Sequence, residues 1–235
     1  QVNFLSGVAM YDRFSDASKV TSQSNLLGPD DWYNDYNSAF MVNAQDSVMF
    51  YHKSKLVVGV EHFPYQSVLK PILGDVMIDL GGTVAKKTMQ EDRGVFQQLG
   101  GGEVGPIICY ESVYGEFVGD YTTNGADYLA IITNDAWWGN TQGHQQHLSY
   151  ARLRAIESRR SIARSANTGI SAFINEKGEV LQTLGYEKQG ALRGEVTLND
   201  DITFYAKHGD YIARIAQFLG LFIFLFAVTR RRSQL

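Results

Sequence analysis

Residues 104–112, with the sequence VGPIICYES, connect an apolar run to the single cysteine of the chain, Cys109. The run predicts a buried strand over Val104–Cys109, and Ser112–Asn124 predicts a helix that ends before Gly125. A cysteine between a strand and a helix lies where the helix amides stabilise a thiolate and hold a developing oxyanion. The stretch therefore predicts an α/β fold with a nucleophile at a strand end. The alternative is a small buried hydrophobic residue.

Strand-length apolar runs alternate with helix-like segments on both sides of this stretch. Residues 128–133, YLAIIT, predict a second buried strand. Gln145–Ala163 has an apolar stripe with arginines around it and predicts the clearest helix. The other predicted strands are the hairpin pair Ser38–Val42 and Ser47–Tyr51, the hairpin pair Ser171–Ile174 and Glu179–Leu184, and Gly190–Thr197. This alternation, with hairpins at the edges, predicts a mixed α/β sandwich in one domain.

The composition excludes several classes of protein. The 235 residues are 44% hydrophobic, which is typical of a packed globular chain, and a net charge of −4 argues against a general affinity for nucleic acid. One cysteine forms no internal disulfide, and no cysteine–histidine cluster has the spacing of a zinc site. Gly100-Gly101-Gly102 is not followed by a lysine and a hydroxyl residue, so it predicts a flexible turn rather than a phosphate loop. We expect neither a metal nor an organic cofactor.

The C-terminal segment has the composition of a membrane span. Residues 212–228, IARIAQFLGLFIFLFAV, are followed by three arginines at positions 230–232. This predicts a transmembrane helix over residues 211–229 and a short basic cytoplasmic tail over 230–235, with residues 1–210 on the opposite side; a buried core helix is the alternative. The N-terminus, Gln1, has neither an initiator Met nor a signal segment, and we expect the sequence to begin inside a longer protein.

A cysteine nucleophile needs a base and a group that stabilises negative charge. None of the five histidines lies in a pattern typical of a papain-like site. A carboxylate base with a lysine is the other possibility. Lys53 follows the end of the predicted strand Ser47–Tyr51, so it is expected at a sheet edge, where its fixed charge can stabilise an oxyanion. The alternative for Lys53 is a solvated surface residue.

Three stretches carry a family resemblance. Residues 51–61 (YHKSKLVVGVE) resemble the block Y-x-K-x-H-L-V-P-F-G-E, and residues 108–112 (ICYES) resemble a cysteine elbow. Residues 134–171 (NDAWWGNTQGHQQHLSYARLRAIESRRSIARSANTGIS) match a longer signature over nearly their whole length. Together with Lys207-His208-Gly209-Asp210, they are similar to the apolipoprotein N-acyltransferase family of the nitrilase (carbon-nitrogen hydrolase) superfamily. The resemblance covers the chain from Tyr51 to its C-terminus.

The resemblance implies a fold and a set of site residues. Members have an α-β-β-α sandwich and a Glu-Lys-Cys triad, so residues 1–210 are expected to be a nitrilase-like catalytic domain. The implied catalytic residues are the nucleophile Cys109, the lysine Lys53 and Glu61, a second glutamate that supports the site by hydrogen bonding. The implied substrate-binding residues are Tyr110 and Glu111, which shape the pocket, and Trp137 and Trp138, in a loop at the lipid-facing entrance. Core packing is the alternative for the two tryptophans.

The sequence departs from the family pattern in two places. Lys55 stands where the family has histidine, and Val58-Gly59-Val60 stands where it has Pro-Phe-Gly. The general-base glutamate of the family precedes the aligned region, and residues 1–37 contain no glutamate. The carboxylates of that segment, none of them in the family context, are Asp12, Asp16, Asp30, Asp31 and Asp35. We expect the base and the earlier membrane spans to precede Gln1, and the fragment to be inactive alone.

The implied activity is an acyl transfer. A fatty acyl chain moves from a membrane phospholipid, through a Cys109 thioester, to the N-terminal cysteine amine of a diacylglyceryl-modified apolipoprotein. The expected location is the bacterial inner membrane, with the catalytic domain on the periplasmic side. Two alternatives stay open, a carbon–nitrogen hydrolase that acts on small amides or nitriles and a catalytically inactive membrane scaffold.

Overall fold

The first sheet is built around one long strand. The computed structural model describes residues 2–45, 47–58, 61 and 86–232. In it β3 (Asp31–Asn43) pairs along its length with β1 (Asn3–Phe14), antiparallel. On the other side β3 pairs with β2 (Asn25–Gly28) near its start and with β4 (Val48–His52) near its end. The predicted hairpin is confirmed, although β3 begins well before the predicted strand.

The second sheet contains the strand that leads to Cys109. Its six strands run in the order β10-β9-β8-β7-β6-β5. They are β5 (Phe96–Gln97), β6 (Glu103–Ile108), β7 (Tyr128–Thr133), β8 (Ile162–Ala166), β9 (Ser171–Ile174) and β10 (Val180–Leu184). The three central strands, β6, β7 and β8, are parallel, and the other pairings are antiparallel. Central parallel strands are buried on both faces, which accounts for the continuous apolar runs of β6 and β7.

The two sheets enclose one hydrophobic core. Met41 and Tyr51 of the first sheet and Ile107 and Ile131 of the second belong to the same buried cluster. Gly7 on β1 permits a close approach, because a Cβ atom built there would lie 3.1 Å from Cγ2 of Ile132 on β7. The core therefore includes residues of both sheets and of the helices beside the second sheet, and Cys109 packs against it at the carboxyl ends of the parallel strands.

Two helices follow the central strands. The first, α1 (Gly115–Thr123), begins later than predicted because a 3-10 turn covers Cys109–Val113. It ends before Gly125, whose φ is +102°, as the sequence predicts. The second, α2 (Gln142–Ser158), contacts both α1 and the 3-10 turn. Both helices therefore contact the 3-10 turn that begins at Cys109.

The prediction of one helix through Ala163 is wrong. Arg159 takes the left-handed conformation, with φ of +52°, and ends α2. The chain then enters β8, where Ile162 is buried opposite Leu129 of β7. The apolar residues near Ile162 continue a helical stripe in the sequence, but burial in a central parallel strand decides their structure.

The prediction of a strand over Gly190–Thr197 is also wrong, since no strand is assigned to these described residues. The segment runs across other elements instead of pairing with one edge. Gly194 lies against the Phe173 ring, where a Cβ atom would approach to 2.7 Å, and the Thr197 amide donates to Ser161 Oγ. Single contacts of this kind replace a ladder of backbone hydrogen bonds.

The C-terminal helix leaves the domain. A short helix, α3 (Phe204–His208), precedes α4 (Tyr211–Arg232). Among the described residues, one helix is long and apolar enough to cross a membrane, Tyr211–Arg230, with mean hydropathy 2.0 and none of it buried. Near its start Arg214 pairs with Glu116 of α1 at 2.6 Å. Positions 233–235 of the predicted tail lie outside the described residues.

Candidate active site

Cys109 occupies a strained elbow between β6 and the 3-10 turn. Its φ is +53°, in the left-handed region that residues other than glycine rarely adopt. Such a conformation costs about 1–3 kcal/mol and persists only where surrounding contacts hold it, often at active sites. The residue before it, Ile108, is buried, whereas Cys109 is partly exposed. The elbow therefore presents the thiol at the end of the core.

Lys53 and Glu61 form a buried ion pair. Lys53 Nζ lies 2.7 Å from Glu61 Oε2, and their side chains are 2% and 13% exposed. The Val57 amide donates to the same oxygen at 2.8 Å, and Asn37 Nδ2 donates to Glu61 Oε1. The backbone carbonyl of Asn37 also accepts a hydrogen bond from the backbone amide of Lys53, at 2.7 Å. The ammonium thus contacts Glu61, whose carboxylate is held in turn by Val57 and Asn37.

One cavity of about 650 Å³ brings most of the predicted site residues together. Cys109, Lys53, Glu61, Tyr110, Trp137 and Trp138 all line it. The remaining lining residues come from β1, β3, the segment after β4, and the ends of β6 and β7: Gly7, Val8, Ala9, Asn37, Ser38, Val57, Ile108, Ile132, Thr133 and Asn134. The wall is largely apolar, and Trp137 at its edge is 70% exposed.

Glu111 lies behind the cavity rather than in its wall. Its Oε1 accepts hydrogen bonds from Tyr51 Oη at 2.8 Å and from the amides of Ser54 and Lys55, and its Oε2 accepts one from the Ile108 amide at 2.8 Å. Burial raises the pKa of Glu111 to about 7, although these hydrogen bonds and the Lys53 charge act in the opposite direction. Glu111 therefore joins the segment after β4 to the end of β6, and its role in substrate binding stays a prediction.

Several lining residues were not predicted from the sequence. Asn37 supports both Lys53 and Glu61 from the middle of β3, and Gly7 lets β1 approach the site. Neither has a local sequence signal, because each acts on residues far away in the chain. Asn134 is the first residue of the third stretch that resembles the family, and this resemblance is the sequence signal that could have identified it.

The aspartates of the N-terminal segment lie elsewhere. Asp31 pairs with Arg13, Asp35 pairs with Lys87, and Asp16 caps a short 3-10 helix. None of the five N-terminal aspartates is among the cavity residues. Within the described ranges, no group of three histidine, cysteine or acidic residues has metal-site geometry.

The segment in which the sequence departs from the family pattern is partly described. Lys55, at the first departure, places its ammonium 5.0 Å from the centre of the Tyr114 ring. Val58, which begins the second departure, is 61% exposed. Gly59 and Val60 of the same departure lie outside the described residues.

The sequence matches the carbon-nitrogen hydrolase family over residues 21–203. Apolipoprotein N-acyltransferase of Chlorobaculum tepidum is 31% identical over 85% of this chain and 38% of its own length. Apolipoprotein N-acyltransferase of Azotobacter vinelandii is 32% identical over 99% of this chain and 43% of its own length. The chain therefore spans less than half the length of these curated relatives.

Solved structures of amidases have a similar fold. An amidase from Nesterenkonia sp. superposes with a TM-score of 0.51 at 18% identity, over 78% of this chain and 62% of that one. A cysteine-to-alanine mutant of the Nesterenkonia AN1 amidase, from the nitrilase superfamily, gives 0.52 at 18% identity, over 77% and 62%. At this identity the likeness concerns the fold alone, and it confirms the predicted nitrilase-like architecture.

Proposed function

Because this chain belongs to the carbon-nitrogen hydrolase family, we propose that it carries the nucleophile of an N-acyltransferase. The reaction moves a fatty acyl chain from a membrane phospholipid, through a thioester on Cys109, to the N-terminal cysteine amine of a diacylglyceryl-modified apolipoprotein. Relatives named apolipoprotein N-acyltransferase support this activity. The observation that carries the proposal is the positive-φ Cys109 elbow, which shares one cavity with the Lys53–Glu61 pair.

The cavity suits an aliphatic donor. Val8, Val57 and Ile132 give it an apolar wall, and Trp137 and Trp138 extend that wall toward the opening. Each methylene group that leaves water contributes about 0.8 kcal/mol, so an acyl chain is bound more tightly than a small amide. Trp137 and Trp138 are therefore proposed to contact the acyl donor at the entrance, with Tyr110 in the wall beside Cys109.

In the first half-reaction the Cys109 thiol loses its proton to a general base, and the thiolate attacks the ester carbonyl of the phospholipid. The family resemblance makes this base a glutamate. Among the described lining residues Glu61 is the one carboxylate, and its bonds to Lys53 and Asn37 give it a supporting role. The Lys53 ammonium and a backbone amide near Tyr110 stabilise the tetrahedral oxyanion. Its collapse breaks the ester C–O bond, and the lysophospholipid leaves with the proton.

In the second half-reaction the free α-amine of the acceptor attacks the thioester carbonyl. The same groups stabilise the second oxyanion, the C–S bond breaks, and the amine proton returns to the Cys109 thiolate through the base. An amide is formed and the thiol is regenerated, so each cycle moves one acyl group without a net change in the enzyme. Neither a metal nor an organic cofactor enters the proposed reaction.

The proposed location is the bacterial inner membrane, with the domain of residues 1–210 on the periplasmic side. The apolar helix Tyr211–Arg230 supports a membrane location. The arginines at positions 230–232 favour a cytoplasmic C-terminus. The Arg214–Glu116 ion pair joins the start of this helix to α1.

The proposed acyl-enzyme can be detected directly. The protein encoded by the complete gene, purified in detergent, is mixed with phospholipid without an acceptor, and its intact mass is recorded. We expect the wild-type protein to gain a fatty acyl mass that hydroxylamine removes, and the Cys109→Ala variant to gain none. The Lys53→Met variant should form the adduct on the order of 10²–10³-fold more slowly, because one oxyanion partner is lost. Lys177→Met, in an exposed turn, is the matched control.

The alternatives give different results in this assay. Folded wild-type protein that gains no acyl mass under turnover conditions overturns the acyltransferase proposal. Release of ammonia from small amides without lipid would then favour a hydrolase. An absence of both activities would favour an inactive membrane scaffold.

A further inference from the structure

A buried ionic network lies directly behind the Cys109 elbow. Asp135, after β7, accepts a hydrogen bond from Thr133 Oγ1 at 2.8 Å and pairs with Arg164 of β8, whose Nη2 lies 2.6 Å from Oδ2. His147 of α2 places Nδ1 2.9 Å from Asp135 Oδ1. The side chains of Asp135 and Arg164 are 0% exposed and that of His147 is 1% exposed. The network joins two parallel strands to α2 and does not line the cavity.

The other nitrogen of the His147 ring faces the elbow. Nε2 lies 3.1 Å from the Cys109 carbonyl oxygen and 2.9 Å from Ser112 Oγ. Ser112 Oγ donates to the same carbonyl at 2.9 Å. The Cys109 carbonyl is therefore held by the 3-10 turn and by α2. These are contacts of the kind that a left-handed, non-glycine residue needs in order to keep its conformation.

The members of the network shift each other's pKa values, and Arg164 also interacts electrostatically with Cys109. Burial raises the pKa of Asp135, but the His147 hydrogen bond and the Arg164 charge outweigh burial and leave this pKa below its ordinary value. Burial lowers the pKa of Arg164, and the charges of Asp135 and Cys109 oppose that shift. A buried ion pair commonly adds little net stability compared with apolar packing. Stability alone therefore does not account for charged groups at this place.

We propose that His147, held by Asp135 and Arg164, is a positioning residue that keeps the Cys109 backbone in its strained conformation and the thiol in the cavity. His147 acts through the Cys109 carbonyl and Ser112 and does not touch the substrate. The inference rests on the proposed role of Cys109 as the nucleophile. All three residues lie in the third matching stretch, residues 134–171, so this stretch contacts the Cys109 elbow directly.

Two conservative substitutions separate positioning from simple packing. A glutamine side chain places its amide near the Nε2 position of histidine, whereas an asparagine side chain reaches only the Nδ1 position. His147→Gln thus keeps the contact with the Cys109 carbonyl, and His147→Asn keeps the contact with Asp135. His147→Phe removes both. His144→Phe, on the same helix and equally buried, is the matched control, because His144 contacts the Gly139 carbonyl and Tyr186 instead.

Two rates are measured on the complete protein in detergent: acyl-enzyme formation at saturating phospholipid, and alkylation of Cys109 by iodoacetamide. We expect His147→Phe and His147→Asn to lower the first rate on the order of 10²-fold, since a small misplacement of a reacting group has an effect of this size. Alkylation should slow in the same two variants. His147→Gln should restore most of both rates, and His144→Phe should behave as the wild type.

The positioning role is overturned if folded His147→Phe keeps the wild-type rates, or if His147→Asn restores them as well as His147→Gln does. Should His147→Phe fail to fold, the glutamine–asparagine pair decides the question. Alkylation does not depend on any substrate, so it tests the elbow even where the wild-type protein transfers no acyl group. Failure of the proposed function and failure of this inference are thereby distinguished.

Discussion

At the scale of one residue, Glu111 connects two segments of the candidate site. One carboxylate oxygen binds the segment after β4, which carries Lys53, and the other binds the Ile108 amide, next to Cys109. Glu111 thus ties the segment that carries Lys53 to the residue before Cys109, although it does not line the cavity. Since an unpaired buried amide costs about 1–3 kcal/mol, loss of this carboxylate disturbs both segments.

The pKa of Glu111 predicts a pH dependence of stability. Burial raises the pKa to about 7 in the folded protein, against an ordinary value of 4.5. Between these pH values the unfolded chain has lost the proton that the folded protein keeps, so the Glu111 contribution to stability falls as pH rises. A shift of this size corresponds to about 3 kcal/mol. Urea unfolding of the wild-type and Glu111→Gln proteins should therefore differ by an amount that changes by about 3 kcal/mol across this window.

The control for this prediction is Glu91→Gln, at an exposed position. Its stability should follow that of the wild type at every pH. If the curves for the wild-type and Glu111→Gln proteins run parallel from pH 4.5 to 7, the raised pKa is contradicted.

At the scale of elements, α1 packs closely against β6, the strand that leads to the Cys109 elbow. A Cβ atom on Gly105 would lie 2.9 Å from Leu129 Cδ2 and 3.0 Å from Tyr121 Cβ, which is closer than van der Waals contact allows. Gly105→Ala is therefore expected to lower the free energy of unfolding by about 1–3 kcal/mol. Chemical unfolding in detergent measures this change.

Gly94→Ala is the matched control, because a Cβ atom there meets nothing within 4 Å. This variant should be neutral or slightly stabilising, through a less flexible unfolded chain. Equal stability of the Gly105→Ala and wild-type proteins would show that α1 moves freely relative to β6, contrary to the packing described.

At the scale of the whole molecule, the proposed topology places the two ends of the apolar helix in different compartments. Lys177→Cys or Gln234→Cys is introduced into a Cys109→Ala background, in which any cysteine outside residues 1–235 is also replaced. A membrane-impermeant maleimide added to cells with a permeabilised outer membrane should label the Lys177→Cys protein. It should label the Gln234→Cys protein only after lysis. Labelling of both before lysis would contradict a membrane-spanning helix, and the reverse pattern would contradict the orientation.

The local pattern of the sequence determined several elements, including the strand that leads to Cys109. The buried strands β6 and β7, the β3–β4 hairpin and the apolar C-terminal helix follow from hydrophobic periodicity and turn residues, which act over a few neighbouring positions. The same pattern made Cys109 and Lys53 candidates, because one ends a predictable strand and the other closely follows one, but it left their alternatives open until the family resemblance assigned their roles. The family resemblance added Glu61 and the two tryptophans.

Only the tertiary structure decided the contacts that complete the site. Asn37 reaches Glu61 across 24 positions of sequence, and His147 reaches the Cys109 carbonyl across 38. The end of α2 and the unpaired course of residues 190–197 likewise depend on what packs against them. The physical reason is the same in each case. Local periodicity indicates which face of an element is apolar, but burial and hydrogen bonding between distant segments decide which polar groups meet.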